Sequence, residues 1–140
     1  LGSQPPVGSQ FIFYSDAALN ADSQLEIRTT QLTDPFGRDV AVRLVNNNST
    51  ARTYRITHQI TPTDGDNPPW TPNPTAPSSR NVQLAANTAS TQSVNIRCTA
   101  PTVNETAVLR VTATVIAVAG SPVSDGASAQ IEIPIRVIAP

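Results

Sequence analysis

The sequence predicts an all-β protein, an antiparallel β-sandwich of about seven to nine strands. Three observations carry that expectation. Apolar residues recur at every second position through most of the chain, and no window keeps a helical period. Clusters of Asn, Asp, Gly, Ser and Pro break the alternation roughly every ten to fifteen residues. Each alternating run has one apolar face, and such faces are buried most economically by stacking two sheets.

The strands follow in order. Residues 10–15 (QFIFYS) read as a short aromatic strand with Phe11 and Phe13 toward the core. Residues 23–29 (SQLEIRT) set Leu25 and Ile27 against Glu26 and Arg28. Asp34-Pro35-Phe36-Gly37 has the proline and glycine placement of a β-turn. Residues 39–46 turn Val40, Val42 and Leu44 inward, and residues 52–61 do the same with Tyr54, Ile56, His58 and Ile60. The stretch 62–77 is rich in proline, which lacks the N–H of a central strand, and reads as loop or edge. Strands at 81–85, 91–98, 107–118 and 127–138 complete the set, the last two joined by a hairpin loop at 120–126. Pro134 faces outward and needs an unpaired N–H, so its strand is expected to be bulged or at an edge there.

Composition limits the function classes. The 140 residues suit one domain. Net charge is −1, which offers no basic surface for nucleic acid. No apolar run approaches the ~18 residues of a membrane span. Charged residues are 14% of the chain, against about 25% in typical domains. Ser, Thr, Asn and Gln fill the difference, a polar and weakly charged surface that fits a secreted or cell-surface setting. All nine basic residues are arginine. Cys98 is the one cysteine, so no intrachain disulfide forms. Leu1-Gly2-Ser3 read as a remnant of tag cleavage and cloning, leaving 4–140 as a single domain expected to come from a larger protein.

The pieces "VAVRLVNNNS", "TYRITHQITP", "PPW", "NVQLAAN", "TQSVNIRCTAP" and "TAVLRVTATV" keep a recognisable order over residues 40–118. This run resembles the bacterial immunoglobulin-like accessory domain attached to α-galactosidases and other secreted glycosidases. The chain departs from that pattern at three points. Asn48-Ser49 replaces a turn glycine, Pro69 precedes Trp70 where the family has glycine, and Asn87-Thr88 replaces a Pro-Gly turn. The resemblance implies an immunoglobulin-like sandwich that acts as a spacer or interaction module, with a tryptophan held between two strands.

Candidate chemistry is sparse. His58 is the single histidine and sits on an apolar face, a structural position lacking the partners a catalytic base or zinc site requires. Cys98 alternates with Val94 and Ile96 and is expected to point inward as a small hydrophobe. Asp64 and Asp66 offer clustered oxygens for calcium, but without the spacing of a calcium loop. Asn47, Asn48 and Asn104 stand in N-glycosylation acceptor motifs within expected loops. Glu26, Glu105 and Glu132 read as isolated carboxylates, and no cofactor is expected.

Three functions compete at this stage. The first is a non-catalytic structural or protein-interaction module, whose partners are proteins or neighbouring domains. A variant of it is a fibre or surface-assembly subunit that accepts a neighbour's strand at a sheet edge, with residues 4–9 as the exchanged arm. The second is a carbohydrate-binding module with Trp70 and Tyr14, joined by Tyr54, as stacking rings. The third is a proline-motif ligand using the P-x-x-P at Pro69 and Pro72. Trp70 itself, within "NPPWTPNPTAP", reads chiefly as an anchor. Its ring would fold against the open end of the sandwich and its indole N–H would bond to loop backbone.

Overall fold

The computed structural model describes residues 11–33, 37–63, 70–124 and 126–140. Among them β1 (Ile12–Tyr14), β2 (Leu25–Arg28), β3 (Arg38–Asn46), β4 (Arg52–Pro62) and β5 (Trp70–Thr71) form the first half. The second half holds β6 (Ser78–Leu84), β7 (Thr88–Cys98), β8 (Thr106–Val118), β9 (Ser121–Pro122) and β10 (Ser128–Ile138). One sheet is four-stranded in the order β1-β3-β7-β5. The other is six-stranded in the order β2-β10-β8-β4-β6, with β9 paired to β8. The protein is an all-β sandwich.

Alternation sets which face is buried. Val40, Val42 and Leu44 of β3 and Val94, Ile96 and Cys98 of β7 meet Tyr54, Ile56, Ile60, Leu109, Val111 and Ile135 from the opposite sheet. Phe11 and Phe13 pack against this core from β1, and the Phe11 ring meets Tyr54 edge-on at 5.1 Å. Leu25 and Ile27 are buried and their neighbours Glu26 and Arg28 are exposed, as the pattern requires.

Four features differ from the sequence reading. The pairing is not wholly antiparallel: β2 runs parallel to β10, with Leu25 opposite Ile135. A five-residue helix, α1 (Thr29–Thr33), follows β2 and drops Leu32 into the core at 1% exposure. Gln31 Oε1 accepts from the Arg28 amide at 3.0 Å, one half of a capping box. β6 and β7 each begin three residues before the expected boundaries at 81 and 91, because cross-strand pairing extends them into polar sequence. Within the proline-rich stretch, Trp70 and Thr71 pair with Cys98 and Arg97. The turn at Asp34-Pro35-Phe36 lies outside the described residues.

Pro134 fits its strand for a local reason. β10 lies between two neighbours, but β2 covers its outer side only from Ile135 to Ile138. Pro134 stands just before that stretch, where β10 has an uncovered side for a residue with no N–H.

Candidate functional site

Trp70 is the centre of the most unusual polar arrangement in the fold. Its side chain is 2% exposed and sits inside the sandwich. The indole Nε1 donates to Glu105 Oε2 at 2.9 Å. Glu105 is equally buried, and its other oxygen accepts from the Thr102 amide at 2.9 Å. The carboxylate thus meets one indole and one backbone donor, which offsets part of its loss of hydration. The main chain of Glu105 is held too, its carbonyl accepting from Val137 N at 2.9 Å. Loop backbone is the expected partner of the indole; the structure corrects this to the side chain of Glu105, the residue immediately before β8.

The backbone around Trp70 ties the two sheets together. Trp70–Thr71 pair with β7 of the four-stranded sheet. The next carbonyl, that of Pro72, accepts from Ile60 N of β4 in the six-stranded sheet at 2.8 Å. Pro72 thereby takes over the edge of β4 where β6 stops at Ser78 opposite His58. Asn73 Oδ1 then accepts from the amides of Thr75 and Ala76, both at 3.0 Å, and fixes the turn that leads into β6.

A cleft of about 340 Å³ opens beside this bridge, between β6 and the uncovered edge of β7. Two side chains from the six-stranded sheet reach across it. Arg80 Nη2 donates to Ser93 O at 2.6 Å, and His58 Nε2 meets Asn95 O at 3.1 Å. A carbonyl accepts only, so His58 carries its proton on Nε2. Burial, the largest influence, holds the His58 imidazole below its ordinary range; the Asn95 carbonyl opposes that effect and Arg80 adds to it. Arg97 and Thr71 line both this cleft and a neighbouring one of about 380 Å³ bordered by Leu32 and Cys98. Cys98 is 1% exposed and burial pushes its thiol up, the opposite of a reactive setting.

Other sequence candidates are dispersed. Tyr14 is 44% exposed on the outer face of the four-stranded sheet, opposite Arg43. Trp70 and Tyr54 point into the core, so the three rings do not share a surface, and Trp70 presents no face for stacking. This corrects the sugar-platform expectation at Trp70. Asn48 is buried, and its Nδ2 donates to Asn46 Oδ1 at 3.2 Å, so the nitrogen that would carry a glycan is engaged inside the fold. Asn47 and Asn104 are exposed, Asn104 at a left-handed φ of 73° with its Oδ1 on Arg136. Asp64 and Asp66 lie outside the described residues. Among the described residues no three His, Cys, Asp or Glu side chains converge as a metal set.

Three polar residues carry much of this geometry: Glu105, which the sequence reading took for an isolated carboxylate and the structure corrects to a bonded one, and Arg80 and Asn46, which it passed over. Asn46 is fully buried, with Nδ2 facing the carbonyls of Thr50, Leu84 and Ala85. A signal existed for the first two. Glu105 continues the inward phase of Ala107 and Leu109, and Arg80 that of Val82 and Leu84. A charge at an inward position marks a polar group with a job inside the fold or at its rim.

Comparison with protein-family models, with curated proteins and with solved structures found no match to this chain.

Proposed function

We propose that the chain is a non-catalytic, immunoglobulin-like structural and protein-interaction module of a larger extracellular or cell-surface protein. The observation that carries this reading is the commitment of its chemically capable side chains to architecture. Trp70 and Glu105 close the core, His58 caps a strand edge, and Cys98 is a buried hydrophobe. The immunoglobulin-like reading is supported by the split N-terminal edge, with β1 on one sheet and β2 parallel to the last strand on the other. The extracellular reading is supported by the chain's low share of charged residues, 14%, and by a row of uncharged polar side chains, Thr57, Thr112 and Gln130, across the outer face of the six-stranded sheet. The resemblance to glycosidase-attached domains supports catalytic neighbours within the parent chain.

The test is a titration of neutral oligosaccharides, galactan-, xylan- and cellulose-derived, while following Trp70 fluorescence. The expected emission is that of a buried indole, unchanged by every sugar. A saturable shift with any of them would overturn the reading in favour of a carbohydrate-binding module.

A further inference from the structure

We propose that the cleft between β6 and β7 binds an acidic, extended peptide segment of a protein partner, with Arg80 and Arg97 receiving its carboxylates. This rests on the interaction-module reading and names the partner chemistry for one surface of it. The first argument is donor excess. On this edge of β7 the carbonyls of Ser93 and Asn95 are already occupied by Arg80 and His58. By strand alternation the Ser93 amide points the same way as its carbonyl, toward the cleft. The Arg97 guanidinium has no hydrogen-bond or ion-pair partner among the described residues, and it carries five donors in a planar fork suited to carboxylate. The nearby carboxylate, Asp39, already accepts from Asn95 Nδ2 at 2.9 Å. Among the described residues the cleft therefore presents chiefly donors, with the two guanidinium charges of Arg80 and Arg97 outnumbering the one carboxylate of Asp39.

The second argument is geometry. Arg80 reaches β7 at the level of Ser93, and Arg97 stands on the same edge at the bridge with Thr71. At the rise of an extended strand, these levels are about 13 Å apart. An extended chain with repeated carboxylates can follow that span and meet both arginines, which line the same cleft. Among the described residues the cleft is lined by Arg, His, Asn, Ser, Thr and Pro side chains, with no aromatic ring for a pyranose to stack on. That favours a peptide over an acidic polysaccharide. The occupied carbonyls also disfavour simple strand addition at this edge, leaving side-chain charge as the means of recognition.

The experiment uses the full chain and fluorescein-labelled hexaglutamate, followed by anisotropy, with hexaglutamine, polygalacturonate and dextran sulfate as comparison probes. Saturable hexaglutamate binding that weakens with added salt is expected, with no binding of hexaglutamine. Arg97→Glu should weaken it about tenfold or more, and Arg80→Gln about fivefold. Arg55→Gln, exposed on the outer face of the six-stranded sheet, should leave it unchanged. Arg80→Gln also removes a cross-sheet bond, so Arg97→Glu, which breaks none, is the decisive variant. Four results overturn the proposal: no saturable binding of hexaglutamate, unchanged binding by Arg97→Glu, equal weakening by Arg55→Gln, or tighter binding of polygalacturonate or dextran sulfate through the same arginines. Each is distinct from the neutral-sugar response that would overturn the module reading itself.

Discussion

Trp70 and Glu105 are 35 residues apart in sequence and bonded in the core, so their pairing is a property of the fold and not of any local motif. Removing the ring leaves a large void and a buried carboxylate with one donor fewer. Trp70→Ala should cost about 3–5 kcal/mol of stability. Trp70→Phe keeps most of the volume but strands Glu105 Oε2, and should cost about 1–3 kcal/mol. Denaturant midpoints measure both, and a cost below about 1 kcal/mol for the alanine variant would contradict the anchoring role. Tyr54 behaves differently. Its ring is fully buried, its hydroxyl has no hydrogen-bond partner among the described residues, and burial pushes its pKa up to about 12 against a partial offset from Arg52. The folded state thus holds the phenolic proton more tightly than the unfolded state, whose tyrosine titrates near 10. Its contribution to stability is complete below pH 10 and is lost as pH rises from 10 toward 12. Alkaline unfolding of the wild type should follow tyrosinate absorbance in that window, and Tyr54→Phe should flatten the dependence. Because the hydroxyl makes no bond, Tyr54→Phe should change stability at neutral pH by under about 1 kcal/mol.

The long strands were readable because each obeys one rule, burial of every second side chain, and the sandwich enforces that rule over β3, β4, β7, β8 and β10. The shorter elements follow other rules. Helix α1 has five residues, too few to display a helical period, and exists because Leu32 must reach the core after β2 ends. The two residues of β5 lie among prolines and are strand only because β7 offers them an edge. The parallel contact of β2 with β10 depends on where the chain goes after β1, which alternation does not encode. The candidate site was partly readable for the same reason. Trp70 was legible as an anchor, but Glu105 takes its meaning from a residue that only folding brings near. The loop after β8 shows how tightly such connections are set. Gly126 passes so close to β8 that a Cβ there would lie 1.8 Å from the Val115 carbonyl oxygen, next to the bond from Val115 N to Ala127 O. Gly120 has a φ of +83° but nothing within 4 Å of an added Cβ. Gly126→Ala should therefore cost about 2–3 kcal/mol by overpacking. Gly120→Ala should cost only about 1 kcal/mol, for its backbone conformation. Thermal unfolding of the two variants should rank them in that order, and the reverse order would contradict the close approach.

At the scale of the whole molecule, the sandwich has a stable centre and two kinds of edge. β8 lies between β10 and β4 from Ala107 to Thr114, and its residues from Ala107 to Val115 alternate between buried and half-buried. β6 has one neighbour, and its first four residues are exposed. β7 is intermediate: β3 covers one side, while the other is closed by Trp70–Thr71 at one end and by Arg80 and His58 further along. Local opening is easiest where few buried contacts and many solvated backbone bonds must be broken. Amide hydrogen exchange should consequently be slowest in β8 and the part of β4 beside it, slower in β7 than in β6, and fast in β1 and β6. Edge amides at Ser79 and Asn81 report on a second point, because β6 is the outer strand of its sheet and open to strand addition. In a dilute sample they should exchange early and independently of protein concentration. Protection at β6 equal to that of β8, growing with concentration and matched by a rise in light scattering, would show that copies of the chain pair through this edge. It would also replace the single-module account with the strand-assembly variant.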